Sequence, residues 1–183
     1  MRPHCLVDRV LFEDDRAEGV EVLAAGEPQS IHGRRITLSA GAIGSPALLL
    51  RSGVGRKDAL LDLGIEPVAD LPGVGVGLVD HPVTRLLLVP KPGSCDRETP
   101  LAQVVVRYTA PGSDEFNDMQ QVMFSHVDVA SLGGEQAVDM VGTPLAIGLP
   151  VALERPLSRG RLSLSSADPR VQPSIEARFH GRT

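Results

Sequence analysis

Aromatic residues are scarce in this sequence of 183 residues: they make up 3% of it, and tryptophan is absent. Proteins that bind single-stranded nucleic acids stack the bases on aromatic side chains, so the composition argues against that function. Basic residues are not in excess either, because the formal net charge at pH 7 is −5. Nucleic acids and anionic membrane surfaces attract basic proteins, and neither is expected as a partner.

Cysteines and long apolar runs are also few. Cys5 and Cys95 stand alone, without the paired spacing of a disulfide framework or a zinc site, so no metal site is expected. No apolar run approaches the roughly 20 residues of a membrane-spanning helix. The N-terminal residues lack the apolar core of a signal peptide. These absences predict a cytoplasmic protein that does not enter a membrane.

The chain does contain enough apolar sequence to form a core. Hydrophobic residues make up 42% of it and charged residues 22%, which is typical of a globular protein. The length allows one domain or two small ones. The central feature is a strand, a turn and a helix between residues 35 and 55. Residues 36–39 are predicted to form a short strand, and residues 40–42 a tight turn of small residues.

A helix is predicted after this turn. Ser45 is a natural N-cap, Pro46 fits the first helical position, and Gly53 suits the left-handed residue that ends a helix. A shorter helix is predicted over residues 58–63, with Gly64 at its end. A strand, a small turn and a buried helix are the basic unit of an α/β sheet, and small residues at the end of the strand let a ligand approach the backbone.

Positions 41–55 carry a longer pattern: a small pair, Ser-Pro, an aliphatic pair, and Ser-Gly-aliphatic-Gly. The residues are Gly41 and Ala42, Ser45 and Pro46, Leu48 and Leu49, and Ser52, Gly53, Val54 and Gly55. This pattern resembles the second signature of the glucose–methanol–choline (GMC) flavin oxidoreductases. An ordinary strand–helix unit is the alternative interpretation.

The sequence before the signature indicates a small meander. Residues 5–12 and 19–24 are predicted strands separated by a charged turn, and a third strand over residues 31–39 leads into a parallel strand that ends at Gly41. The resemblance implies that Val7 presents its main-chain N–H and C=O to the adenine of FAD. The alternative is that Val7 is a plain core residue.

A glycine-rich segment, LPGVGVGLVDHP, occupies residues 71–82. It is not interpreted as a dinucleotide fingerprint, because no clear strand precedes it and Asp80, His81 and Pro82 stand where a helix would have to run. A similar segment crosses near the flavin ring in GMC enzymes. Gly77 departs from the family, which usually has Asn there, so a side-chain amide is missing from this loop.

Asp80 and His81 could be taken for a catalytic base and its orienting partner. Side chains of adjacent residues diverge, so both are interpreted as residues that tie the loop to neighbouring backbone. The resemblance implies that the cofactor contacts of this chain come from Val7, Ala40, Gly41, Ser45, Asp80 and His81. No catalytic residue and no metal ligand are assigned.

The second half of the sequence is dominated by strands. They are predicted over residues 84–89, 102–109, 119–127, 143–153 and 160–165, without helices between them, which indicates a largely antiparallel sheet. His126 lies on one of them and either faces a substrate cavity or is a half-buried sheet residue. Residues 154–173 resemble the entry into the C-terminal GMC segment.

The fold class expected from these observations is α/β. A partial, Rossmann-like FAD-binding domain over residues 1–82, without G-x-G-x-x-G, is joined to a mainly antiparallel α+β substrate domain. That second part, residues 83–183, comprises a partial substrate-binding domain and the start of the GMC C-terminal region.

Two parts that GMC enzymes need are absent from the sequence. One is the N-terminal strand–GxGxxG–helix that holds the FAD pyrophosphate, and the other is the C-terminal block with the catalytic His. His180 does not match that block. The resemblance therefore implies part of an FAD-dependent oxidoreductase that acts on the CH–OH group of alcohols, inactive by itself.

Two alternatives stay open for this chain: a non-catalytic remnant, or one subunit of a split flavoenzyme whose other parts are separate chains. A small-molecule alcohol is the expected substrate. The sequence does not indicate which alcohol, nor whether oxygen or a carrier accepts the electrons. A serine hydrolase is not indicated, since Ser45 lacks the G-x-S-x-G elbow.

Overall fold

The computed structural model describes residues 3–179. Its helices are α1 (Gly41–Arg51), α2 (Lys57–Leu61) and α3 (Ala130–Val141). Its strands are β1 (Cys5–Glu13), β2 (Arg16–Ala24), β3 (Glu27–His32), β4 (Val54–Gly55), β5 (Ala69–Asp70), β6 (Val76–Leu78), β7 (Val83–Leu88), β8 (Ala102–Tyr108), β9 (Met119–Asp128), β10 (Leu145–Leu153), β11 (Gly160–Ser163) and β12 (Ser174–Glu176). Within residues 3–179, no helix has the length and apolar character needed to cross a membrane.

The described residues form two compact units. One comprises the residues up to Val79 together with those from Ser158 onward, and the other is Asp80–Leu157. This division differs from the predicted one, which assigned residues 83–183 to a single part. The residues from Ser158 onward group with the N-terminal ones because β11 pairs with β6, a long-range pairing that local sequence patterns do not reveal.

The first unit begins with a three-stranded antiparallel sheet in the order β1-β2-β3. Val10 and Val22 are its buried hydrophobic residues. Asp14 makes the tight turn between β1 and β2 with a φ of 50°, a value that Asp tolerates better than most residues. The first two strands were predicted correctly. The third runs from Glu27 to His32 and not over residues 31–39, because it pairs with β2 only over that length.

Residues 36–39 do not form the predicted strand, and no described segment pairs with them. A strand needs neighbouring backbone to bond its N–H and C=O groups, so this apolar run remains irregular. The helix α1 then begins at Gly41, before the predicted N-cap Ser45, and Pro46 lies inside it. Because proline has no N–H, it cannot donate to the carbonyl of Ala42 one turn earlier.

Both helix ends predicted from glycine have the expected conformation. Gly53 follows α1 with a φ of 83°, and Gly64 follows α2 with a φ of 72°. The short strands β4 and β5 pair in parallel. The core of this unit consists of buried side chains from α1, α2, the loop after α2 and β11: Ala47, Leu50, Leu60, Ile65 and Leu162.

The second unit is a four-stranded antiparallel sheet in the order β7-β10-β9-β8. Its strands match four of the predicted ones to within two residues at each end. The expected absence of helices from this half is wrong, because α3 follows β9. The sequence signal for α3 is weak. None of its residues is buried, so it needs no apolar face, and its backbone is non-helical at Gly133 and Gly134.

Candidate functional site

The start of α1 and the glycine-rich loop meet at one cleft. Its volume is about 250 Å³, and its lining comprises Ala42 and Pro46 from α1, Gly75, Val76, Gly77, Leu78 and Val79 from the loop and β6, and Leu162 from β11. All of these residues belong to the first unit. The two segments that the GMC resemblance places near a flavin nucleotide therefore share one surface.

The backbone of this region is open at two glycines. Gly41 and Gly77 have φ values of 77° and 82°, and a Cβ added to either would meet no heavy atom within 4 Å. The neighbouring Gly75 differs, because a Cβ there would collide with the carbonyl of Leu162. The Gly75 carbonyl accepts a hydrogen bond from the Leu162 N–H at 2.6 Å. Gly75 thus fixes the loop against β11, while Gly41 and Gly77 present bare backbone.

Ser45 and Ala40 contact each other. The Ser45 hydroxyl accepts a hydrogen bond from the Ala40 N–H at 3.0 Å, which closes the turn into α1. This is not the N-cap that the sequence predicted, because a cap residue precedes the N–H groups that it bonds. Ala40, Gly41 and Ser45 thus form the turn at the start of α1, and their contact with a cofactor stays a prediction.

Val7 lies at the other end of α1. Its carbonyl accepts a hydrogen bond from Nη2 of Arg51 at 3.4 Å, and the carbonyl of Asp8 accepts one from Nε at 2.9 Å. Arg51 is the last residue of α1, and its side chain is only 10% exposed. The sequence interpretation did not single out Arg51; an arginine that ends an apolar run within the signature was the available signal.

The ionic pair beside Val7 is partly desolvated. Nε of Arg51 lies 3.7 Å from Oδ1 of Asp8. Burial raises the pKa of Asp8, and the attraction of Arg9 and Arg51 opposes that shift. Burial likewise lowers the pKa of Arg51, against the attraction of Asp8. For both groups the loss of solvent outweighs the pairing, as expected for charges that leave water.

Asp80 and His81 begin the second unit. Oδ1 of Asp80 accepts a hydrogen bond from the N–H of His81 at 2.8 Å, so Asp80 does bind neighbouring backbone as interpreted. Nδ1 of His81 lies 3.6 Å from Oε1 of Glu154, and Nη2 of Arg107 lies 3.6 Å from Oε2 of the same carboxylate. The role of Asp80 and His81 toward a cofactor stays a prediction.

His126 is half-buried in β9. Its Nδ1 is buried and has no hydrogen-bond partner. Among residues 3–179, no group of three or more His, Cys, Asp or Glu side chains is placed to hold a metal ion.

Comparison with known proteins shows which family the chain resembles. Residues 1–83 match the family model described as GMC oxidoreductase. An oxygen-dependent choline dehydrogenase from Pectobacterium carotovorum is 36% identical over 203 residues, covering 94% of this chain and 34% of that protein. Another, from Cronobacter sakazakii, is 52% identical over 81 residues, covering 43% of this chain and 14% of that protein.

Solved structures show the same fold. The pyridoxine 4-oxidase described as from Mesorbium loti superposes with a TM-score of 0.79 at 22% identity, over 96% of this chain and 34% of that one. A formate oxidase from Aspergillus oryzae superposes with a TM-score of 0.78 at 22% identity, over 97% and 39%.

The signature, the cleft and these matches place the chain in a class of flavoenzyme-like folds. Over residues 1–83, the chain belongs to the GMC oxidoreductase family. It spans about a third of the length of the curated relatives that it matches.

Proposed function

We propose that this chain is part of an FAD-dependent oxidoreductase that acts on the CH–OH group of a small alcohol. The observation that carries the proposal is the cleft in which Ala42 and Pro46 meet residues 75–79. The matched relatives named oxygen-dependent choline dehydrogenase support an alcohol as the substrate class. Within that class, a choline-like alcohol is the first candidate.

The residues of the cleft fit one part of a flavin nucleotide. Bare backbone at Gly41 and Gly77 can approach a planar ring or a ribityl chain without a side chain in between. The volume of about 250 Å³ falls below the roughly 300–1,000 Å³ of complete small-molecule sites. The cleft therefore suits a portion of FAD, and other residues must hold the rest.

We assign Val7 to a second portion of the same ligand. Arg51, which bonds the Val7 carbonyl, ends α1, and Gly41 begins it. Ten residue steps along a helix span about 15 Å. Contacts at both ends of α1 suit an extended dinucleotide better than a compact ligand.

FAD, when bound, supplies the acceptor for a hydride from the alcohol carbon. This chain contributes the turn at Ala40 and Gly41, the loop of residues 75–79 and the strand backbone at Val7. It has no G-x-G-x-x-G motif, and it spans 34% of the choline dehydrogenase relative. We therefore expect the 183-residue chain alone to bind FAD weakly and to oxidise no alcohol.

Two variants test the cleft directly. Ala42→Leu fills it from α1, whereas Ala59→Leu makes the same change in α2, where Ala59 lines a different cavity. Titration with FMN, followed by flavin fluorescence, should show weak binding to the parent chain and to Ala59→Leu, and loss of binding in Ala42→Leu. Equal binding by both variants would contradict the assignment of the cleft.

Activity is tested by co-expression with a Gly-rich N-terminal segment and a His-bearing C-terminal segment of a GMC enzyme. The assembled protein should retain flavin that primary alcohols bleach, as a split flavoenzyme would. A chain that stays colourless with both segments favours a non-catalytic remnant. Stoichiometric yellow flavin and alcohol-dependent bleaching in the chain alone would disprove the expectation of inactivity. The cytoplasmic location stays a prediction from the sequence.

A further inference from the structure

β1 is irregular next to Val7, the residue that the GMC resemblance assigns to the adenine of FAD. Val7 pairs with Val22 and Arg9 with Glu21, so Asp8 is an extra residue in β1. β1 is also an edge strand of its sheet. A bulge of this kind re-aims the backbone groups around it. The direction of the Val7 carbonyl and N–H therefore depends on what holds the bulge in place.

Arg51 holds the bulge from the end of α1. Its guanidinium donates to the carbonyls of Asp8 and Val7, at 2.9 and 3.4 Å, and lies 3.7 Å from the carboxylate of Asp8. A guanidinium has five N–H groups in a fixed fork, so one side chain can donate to both carbonyls while its charge faces the carboxylate. A lysine has a single nitrogen and cannot reproduce this arrangement.

Ser52, the residue after Arg51, holds β1 on the other side of the bulge. The Ser52 hydroxyl accepts a hydrogen bond from the Val10 N–H at 2.8 Å. Arg51 and Ser52 together thus hold the backbone of residues 7–10 at both ends of the bulge. Such a buried guanidinium is costly in free energy, and an apolar residue would pack in its place without that cost.

We propose that Arg51 is a positioning residue that fixes the main chain of Val7 for the adenine end of FAD. This inference rests on the proposed function. A carbonyl oxygen has two lone pairs, so Val7 can accept from Arg51 and from the exocyclic amine of adenine together. Arg51 acts through Val7 and touches no ligand atom itself.

The test compares three variants of the full 183-residue chain. Arg51→Gln removes the charge and the fork, Arg51→Lys keeps the charge, and Arg9→Gln is the matched control. Arg9 lies on the same strand, and its side chain, which is 51% exposed, bonds the carboxylate of Glu21 at 2.9 Å. The probes are AMP and FMN, each titrated to millimolar concentration by NMR. Amide hydrogen exchange of residues 7–10 reports the bulge without ligand.

The effects that we expect on AMP binding and on FMN binding differ. Arg51→Gln should weaken AMP binding about tenfold, as expected when the hydrogen bond between Val7 and adenine is lost. It should leave FMN binding unchanged within about twofold. Amide exchange at residues 7–10 should accelerate in that variant. Arg51→Lys should fold and show a smaller loss for AMP, and Arg9→Gln should behave as the parent for both probes.

Four other outcomes would overturn the inference. Unchanged AMP affinity in Arg51→Gln and Arg51→Lys overturns the inference, as does an equal loss for AMP and FMN, which would mark a general structural role. A parent chain that binds FMN but not AMP overturns the inference and leaves the flavin cleft standing. A parent chain that binds neither probe overturns the proposed nucleotide site itself, and the inference with it.

Discussion

The Ser52 hydroxyl accepts a hydrogen bond from the Val10 N–H at 2.8 Å, joining the end of α1 to the middle of β1. It also donates to the Leu48 carbonyl at 2.6 Å. Ser52 and Val10 are 4% and 5% exposed, so water cannot replace this bond. Ser52 of the signature therefore has a structural role that does not depend on a ligand.

Ser52→Ala should lower the free energy of unfolding by about 1–3 kcal/mol, because the buried Val10 N–H is left without an acceptor. Ser45→Ala is the matched control: its bond to the Ala40 N–H is solvent-exposed, and its loss should cost about 0.5–1 kcal/mol. Urea unfolding followed by circular dichroism measures both. Equal losses would show that the Ser52 bond contributes nothing beyond an ordinary surface bond.

Gly53→Ala should destabilise the protein more than Gly64→Ala. Both glycines have positive φ, which costs an L-residue about 1–2 kcal/mol. A Cβ on Gly64 meets nothing within 4 Å, whereas a Cβ on Gly53 collides with the carbonyl of Glu66. Thermal unfolding of the two variants gives the comparison. Similar melting temperatures would mean that the loop at Glu66 moves away freely.

Gly77→Asn restores the residue that GMC enzymes usually have in this loop. The position has room, since a Cβ meets nothing within 4 Å, and Asn tolerates positive φ better than most residues. We expect an unchanged fold and weaker FMN binding, because a side chain at Gly77 would stand between the loop backbone and the flavin in the cleft. Gly112→Asn, at another open position with positive φ in the second unit, should leave FMN binding unchanged. Tighter binding in Gly77→Asn would mean that the added amide contacts the flavin and that bare backbone at this position is not required.

The pH dependence of stability should change when Asp8 is replaced. Burial raises its pKa above the ordinary value of 3.8, so the folded chain keeps this proton to higher pH than the unfolded chain does. The contribution of Asp8 to stability is complete below pH 3.8 and is lost as the pH rises through the folded pKa. Asp8→Asn should therefore gain stability relative to the parent over this window, as urea titrations at successive pH values will show.

The pKa of Glu176 is shifted in the opposite direction to that of Asp8. The hydrogen bond from Arg161 holds its pKa below the ordinary value of 4.5. Its contribution to stability is present above pH 4.5 and is lost as the pH falls through the folded pKa. Glu176→Gln should lose stability relative to the parent above pH 4.5. Parallel pH profiles for the two variants would contradict the assigned directions.

Local signals in the sequence predicted local structure well. Gly53 and Gly64 end their helices as expected, because only glycine adopts positive φ without strain. The apolar, strand-like composition of residues 119–127 and 143–153 located β9 and β10. The signature and the glycine-rich loop also led to the residues of the cleft.

Features that depend on distant partners were not predictable. Residues 36–39 have the composition of a strand, but no described strand pairs with them. The pairing of β6 with β11 joins residues some eighty positions apart, and no periodicity signals it. The sequence interpretation did not single out Arg51, and only the fold shows its guanidinium bonded to the carbonyl of Asp8.

The pairing of Leu78 with Gly160 has a consequence for how this family can vary. Paired residues on adjacent strands lie about 5 Å apart, so the chain leaves the first unit and re-enters it at one place. The intervening 80–157 unit is an insertion in the topological sense, and its length can change without shifting the register of β6 on β11. The second unit can therefore change in length while the packing of the first unit stays constant.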